Sequence, residues 1–341
     1  MFILVPYWKT HRKVIVPTFN QQILNGFMDV FTEQSDILAG VLEKYAGKGE
    51  VDVFKLITSC TLDIICETAM GVQIKAQSTE SSFAEQADNL QVLVQKKALK
   101  ERRKTHELTV EDTPKRRAFL DLLLDINDSG DFKFTDEEIM NETLTLMVAG
   151  SDTTAATNCF TLTMLAIHQD IQEKVLAEIL DVVGPNASVG LDHLPHLKYL
   201  ERFERPKKTL TLVKTSREIR DKINNDDLTV GDHVILKDCS IVFGILNVHR
   251  NEKYWPQPYK FDPDRFLPEN ASAIQPGSYI PFSYGPRNCI GWYLIFLKKL
   301  RRFSLKVECK KVQIWVCANL RMEDKVFCQL LSFICIFADV M

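Results

Sequence analysis

The chain has 341 residues, enough for a large core and, by length alone, for about two domains. A net charge of −3 and a pI of about 6.2 point away from nucleic-acid binding, and 45% hydrophobic residues fit an ordinary folded protein. Nine scattered cysteines, an odd number with no C-x-x-C, argue against a disulfide framework or zinc site and fit reducing surroundings.

FILV at residues 2–5 is too short for a signal peptide or membrane span, and the apolar tail from Val326 is also too short to span. Trp8 and Arg12 follow, four apart, so a helix would put them on one face. A basic surface turn is the other reading. Residues 17–45 read as a helix, with Ile23, Phe27, Phe31 and Leu38 apolar among polar neighbours. Residues 51–71 read as a second helix closing at Gly71. Asp63 and Glu67 within it have no accompanying histidine, so they read as scaffold rather than as metal ligands. Residues 96–117 are dense in charge. They read as a solvated helix end and loop, with a basic surface for a reductase or phospholipid as the alternative.

Thr135 and Glu138 form a capping box that predicts a long helix from the following acidic run. Inside it lies Ala149-Gly150-Ser151-Asp152-Thr153-Thr154, poor helix material whose hydroxyls bond back to carbonyls and bend helices. Gly150 leaves room for a flat ligand, and a local widening of the helix is expected there. A polar patch without function is the alternative. Residues 167–183 predict an amphipathic helix with Ile167, Ile171, Val175, Ile179 and Val183 on one stripe, ending at Gly184-Pro185. His168 reads as a core or rim histidine. Pro206 should end the next helix early. Thr229–Phe243 shows β-like alternation around a poor turn at Leu236-Lys237-Asp238.

Pro281–Gly291, PFSYGPRNCIG, carries the chemistry. Gly285 sits where a hairpin or bulge needs positive φ. Arg287 puts a permanent cation two residues before Cys289, and the apolar run from Trp292 reads as a helix. A thiol at a helix start is favoured as thiolate, and a bound metal would keep it deprotonated. Phe282 is placed to shield the sulfur. An inert buried cysteine is the alternative, but these four neighbours coincide by chance about once in a hundred thousand.

These residues resemble the cytochrome P450 superfamily, the haem-thiolate monooxygenases. Phe282, Gly285, Arg287, Cys289 and Gly291 fill every fixed position of F-x-x-G-x-R-x-C-x-G, and residues 149–154 fill A-G-x-D-T-T. The chain looks most like the animal family 4 group. The resemblance implies a mainly α fold with a small β region, the P450 fold, as one domain over 1–341 with a divergent tail at 292–341. It implies haem b, with the Cys289 thiolate as axial iron ligand. Trp8 and Arg12 then flank the haem, Arg12 meeting a propionate, and Arg217 matches a position often near a haem propionate. Ala149 and Gly150 lie on the distal side, where Asp152 and Thr153 relay protons for O–O cleavage. Family 4 members often carry a Glu before this glycine that becomes esterified to the haem; Ala149 implies no such link. The implied reaction inserts one atom of O2 into an apolar substrate of the fatty acid, hormone or xenobiotic class. The implied partners are NADPH-cytochrome P450 reductase and, as a second donor, cytochrome b5. The implied location is the cytoplasmic face of the endoplasmic reticulum membrane.

The pattern breaks twice. The family's E-x-x-R is absent: Glu201 meets Glu204, and Glu204 meets Lys207. Arg265, the triad's third member, is then expected to be buried without its carboxylates, at a cost of several kcal/mol. Beyond Gly291 the family's closing hairpin is not recognisable. The family also has roughly a hundred residues before Trp8, including an anchor helix, so the sequence reads as lacking the N-terminal part. Both breaks read as altered or misread coding. A non-catalytic, decayed haem-protein remnant is therefore the alternative to a monooxygenase.

Overall fold

The computed structural model describes residues 5–46, 48, 51–78, 99–100, 103–104, 117–130, 132–185, 187, 189–211, 227–237 and 244–291. They are mainly helical, with one two-stranded sheet. The helices are α1 (Val5–Ile15), α2 (Gln21–Asn25), α3 (Met28–Glu43), α4 (Val53–Ile65), α5 (Phe119–Ser129), α6 (Asp136–Ile167), α7 (Gln169–Val182), α8 (Lys198–Thr211) and α9 (Ile245–His249). Strands β1 (Leu228–Val230) and β2 (His233–Ile235) pair antiparallel, Leu228 opposite Ile235. The described residues fall into two compact units: Val14–Glu204 with Ile290 and Gly291, and the residues up to Lys13 with Arg205–Cys289.

In the larger unit, the helix expected over 17–45 is three pieces. Pro17 starts a 3-10 turn, Val16–Phe19, and Asn20 caps α2 by accepting from Ile23 N at 2.9 Å. At Gly26 the backbone N–H turns onto the Gln22 and Ile23 carbonyls, and α3 restarts after Phe27. Local caps thus override the continuous apolar pattern. The helix expected over 51–71 is found. Asp52 caps it, and its last turn, Cys66–Met70, widens into a π-helix that ends on left-handed Gly71, φ 67°. The core joins Leu24, Phe27, Met28, Phe31, Ile64, Met70, Phe119, Leu123, Ile139 and Met147.

The capping box forms: Glu138 Oε2 accepts from Thr135 N at 2.7 Å, and Thr135 Oγ1 accepts from Glu138 N at 3.2 Å. From it α6 runs 32 residues. The stripe on α7 buries Ile171, Val175 and Ile179, but Ile167, expected on it, is 64% exposed because it ends α6 before the chain turns at His168. Glu178 of α7 accepts from Tyr199 N (2.6 Å) and Leu200 N (2.8 Å), satisfying two first-turn donors of α8. α8 continues through Pro206 to Thr211, so Pro206 does not end it.

In the smaller unit, the hairpin turns at Gly231-Asp232, where Gly231 has φ 57°. Trp255, Phe266, Tyr279 and His249 form an aromatic cluster with ring separations of 5.0–6.1 Å. Trp255 Nε1 donates to Ser278 O at 3.1 Å. Arg265 donates to the carbonyls of Pro256, Gln257 and Lys260 and pairs with no carboxylate among the described residues. This corrects the expectation of a stranded cation: the guanidinium is only half-buried and is satisfied by the loop it closes.

Candidate functional site: a thiol loop and an acid–alcohol helix

The loop Pro281–Cys289 folds on its own backbone. Cys289 N donates to Phe282 O at 2.9 Å, Asn288 N to Gly285 O at 3.1 Å and Ser283 N to Ile280 O at 3.1 Å. Closing so tight a loop forces Gly285 to φ 86° and Ser283 to φ 61°. Glycine takes that geometry freely, whereas serine is strained by it. Cys289 is half-buried and forms no disulfide among the described residues.

Helix α1 meets this loop from 276 positions away in sequence. Arg12 Nη2 donates to Asn288 Oδ1 at 2.7 Å. The Arg287 guanidinium lies 4.3 Å and that of Arg12 5.7 Å from the Trp8 ring centroid. Both contacts are cation–π pairs that hold the cations beside the loop. Burial pulls the Arg12 pKa below its ordinary value, and the charge of a Cys289 thiolate nearby opposes that shift. The structure therefore gathers Trp8, Arg12, Phe282, Gly285, Arg287 and Cys289 of the expected site. Asn288 was missed by sequence reasoning, because its role depends on a helix remote in sequence. Gly291 follows in the larger unit, where an added Cβ would meet nothing within 4 Å. Arg217 lies outside the described residues.

In the larger unit, Ala149–Thr154 lies in mid-α6. The widening expected at Gly150 is absent: the segment is regular α-helix, and the π-turn sits at Cys66–Met70. Threonine hydroxyls here bond back to carbonyls one turn earlier while the helix stays regular. Thr153 Oγ1 donates to Ala149 O at 2.6 Å, and Thr157, Thr161 and Thr163 repeat the pattern. Asp152 and Thr153 are half-buried, whereas Ser151 and Thr154 are fully buried. The Thr154 hydroxyl has no hydrogen-bond partner among the described residues. The two other carboxylates considered act structurally. Asp63 accepts from Ala76 N (2.6 Å) and Gln77 N (3.0 Å), and Glu67 from Gln34 Nε2 and Gln73 Nε2, each at 3.3 Å.

The donor set fits a haem. A soft thiol suits iron, and two guanidinium groups beside it suit the carboxylates that a porphyrin brings. Among the described residues no group of three or more His, Cys, Asp or Glu side chains converges.

A mainly helical chain with this thiol loop falls in the class of haem-thiolate proteins. The chain belongs to the cytochrome P450 family, whose sequence model, "Cytochrome P450", matches residues 2–99 and 91–313. That match runs beyond Gly291, into the tail expected to diverge. The chain is 34% identical over 363 aligned positions to cytochrome P450 4V2 of Mus musculus, covering 93% of this chain and 68% of that protein. It is 30% identical to cytochrome P450 4c3 of Drosophila melanogaster, covering 93% and 70%. The first alignment is longer than the 341-residue chain, so that relative carries internal residues that this chain lacks. Among solved structures, the cytochrome P450DA heme domain superposes with a TM-score of 0.71 at 25% identity, covering 87% of this chain and 68% of that one. Membership in this family implies a haem-thiolate monooxygenase.

Proposed function

We propose that this chain binds haem b through the Cys289 thiolate and inserts one oxygen atom of O2 into an apolar substrate of the fatty acid, hormone or xenobiotic class. The observation that carries this reading is the assembly of Trp8, Arg12 and Arg287 beside the Cys289 loop. Trp8 orients both cations, Arg12 and Arg287 neutralise the haem carboxylates, and Gly285 and Gly291 keep the loop free of side-chain bulk. Bound haem supplies the oxygen-activating redox chemistry. The protein supplies the ligand and the proton path. Thr153 directs its own proton to the Ala149 carbonyl, which leaves its oxygen free to accept a hydrogen bond. Asp152, one residue before it, is the acid that brings protons in, and Gly150 keeps that surface flat. Ala149 presents no carboxylate, so the haem is held without an ester link. Arg217 is assigned to a haem carboxylate by the same family pattern.

We read residues 1–341 as a single P450 domain fed by NADPH-cytochrome P450 reductase, with cytochrome b5 as a second donor. Its place is the cytoplasmic face of the endoplasmic reticulum membrane. No helix among the described residues is long and apolar enough to cross a membrane, so attachment would involve another segment or the surface.

The test is the difference spectrum of the reduced, carbon monoxide-bound protein. A strongly red-shifted Soret band that Cys289→Ser abolishes supports the reading. An unchanged band in that variant overturns it. The second reading, a non-catalytic haem-protein remnant, draws on the missing E-x-x-R and on Arg265 bonding, among the described residues, to carbonyls and to no carboxylate. A normal spectrum with no oxygen-dependent product from any apolar substrate offered would favour it.

A further inference from the structure

Among the described residues of the larger unit, helices α4 and α6 pack more extensively than any other pair, and their register can be read from side chains. Cys66, just past α4, meets Met147 through sulfur at 3.8 Å. Thr61 Oγ1 meets Ser151 Oγ at 3.3 Å. Val53 and Ile57 cluster with Ala155 and Cys159. Descending numbers on α4 match ascending ones on α6, in steps of four or five residues, so the helices run antiparallel along one continuous seam. Ser151, the middle residue of Ala149-Gly150-Ser151-Asp152-Thr153, faces this seam. Successive helix residues are about 100° apart, so Asp152 and Thr153 are turned off it.

Thr61 is 1% and Ser151 3% exposed. Thr61 Oγ1 also lies 3.0 Å from Thr58 O, to which it donates. The Ser151 hydroxyl is therefore the donor to Thr61, and a directed chain runs from Ser151 to Thr61 to the Thr58 carbonyl. Thr154, fully buried, has no such partner among the described residues.

We propose that Thr61 and Ser151 are positioning residues for the acid–alcohol pair: their buried hydroxyl bond sets the rotation of α6 at which Asp152 and Thr153 carry protons. This rests on the relay reading of Asp152 and Thr153. Thr61→Val keeps volume but strands the Ser151 hydroxyl without a partner. Ser151→Ala leaves Thr61 bonded to Thr58 and should do less harm.

The test uses the full, haem-loaded chain with reductase and NADPH. It measures peroxide released per NADPH oxidised, and deuterium exchange of the amides of residues 149–157. Thr61→Val is expected to raise the peroxide fraction about fivefold, the ratio corresponding to one hydrogen bond of average strength. It should also speed exchange in that segment. Thr61→Ser should restore both, and Ser151→Ala, which also guards against a Thr61→Val protein that fails to fold, should fall between. Equal effects of Thr61→Val and Thr61→Ser would show that packing, not the hydroxyl, matters and would overturn the proposal. So would a wild-type peroxide fraction in both Thr61→Val and Ser151→Ala while Asp152→Asn raises it. If Asp152→Asn leaves the fraction unchanged, or the chain takes up no haem, the relay reading itself fails and the positioning role falls with it.

Discussion

His249 gives the smaller unit a pH dependence whose size follows from its surroundings. The side chain is 2% exposed. Its Nε2 accepts from Ile280 N at 2.9 Å, which fixes the proton on Nδ1, and Nδ1 has no partner among the described residues. The imidazolium would lose the Ile280 bond and stand unsolvated beside the Tyr279 ring, 5.6 Å away. Burial accordingly lowers the pKa from 6.5 to about 4. Above the unfolded value both states are neutral and the group costs nothing. As pH falls below it, the unfolded chain takes up a proton that the folded chain refuses, so stability is lost until the folded pKa is reached. The full loss is about 3 kcal/mol, at roughly 1.4 kcal/mol per pH unit. Urea unfolding of the wild type and His249→Gln at about pH 7 and about pH 4.5 isolates it, because glutamine can accept the same bond without titrating. The wild type should lose about 2.5 kcal/mol more than the variant between those conditions. Asp63 has its carboxyl pushed up by burial and contributes with the opposite sign, but it is present in both proteins and cancels. Equal losses in the two proteins would refute the assignment of a buried neutral imidazole.

Asp63→Asn should cost on the order of 1–3 kcal/mol in unfolding free energy, because an amide nitrogen would replace one oxygen that accepts from Ala76 or Gln77. Native alkylation at about pH 8, read peptide by peptide in a mass spectrometer, should modify Cys289 well before Cys60, Cys66 or Cys159. Cys159 should be inert, since burial first, and Asp52 second, push its thiol up to about 12. Thr135→Ala should cost about 1 kcal/mol of stability and Phe31→Ala about 3–5 kcal/mol, measured by the same urea titration.

Much of the chemistry was written in local sequence. Phe282, Gly285, Arg287 and Cys289 sit within one loop, and their spacing is a property of that loop alone. The capping box at Thr135 and Glu138 and the closure at Gly71 also use residues within a few positions of one another, so side-chain type sufficed to find them. Local reasoning failed where another atom decided. Pro17, Asn20 and Gly26 divided an apolar run that looked continuous, and α6 is regular, with its hydroxyls bonded back, where its composition suggested a widened turn. Only the folded chain could show that Arg12 reaches Asn288, that Arg265 closes a loop of carbonyls, and that Ser151 bonds Thr61 across the seam. Those contacts join residues whose separation in sequence carries no information about their distance. They exist because helices bury their apolar faces against one another, and the register so fixed decides which polar groups meet.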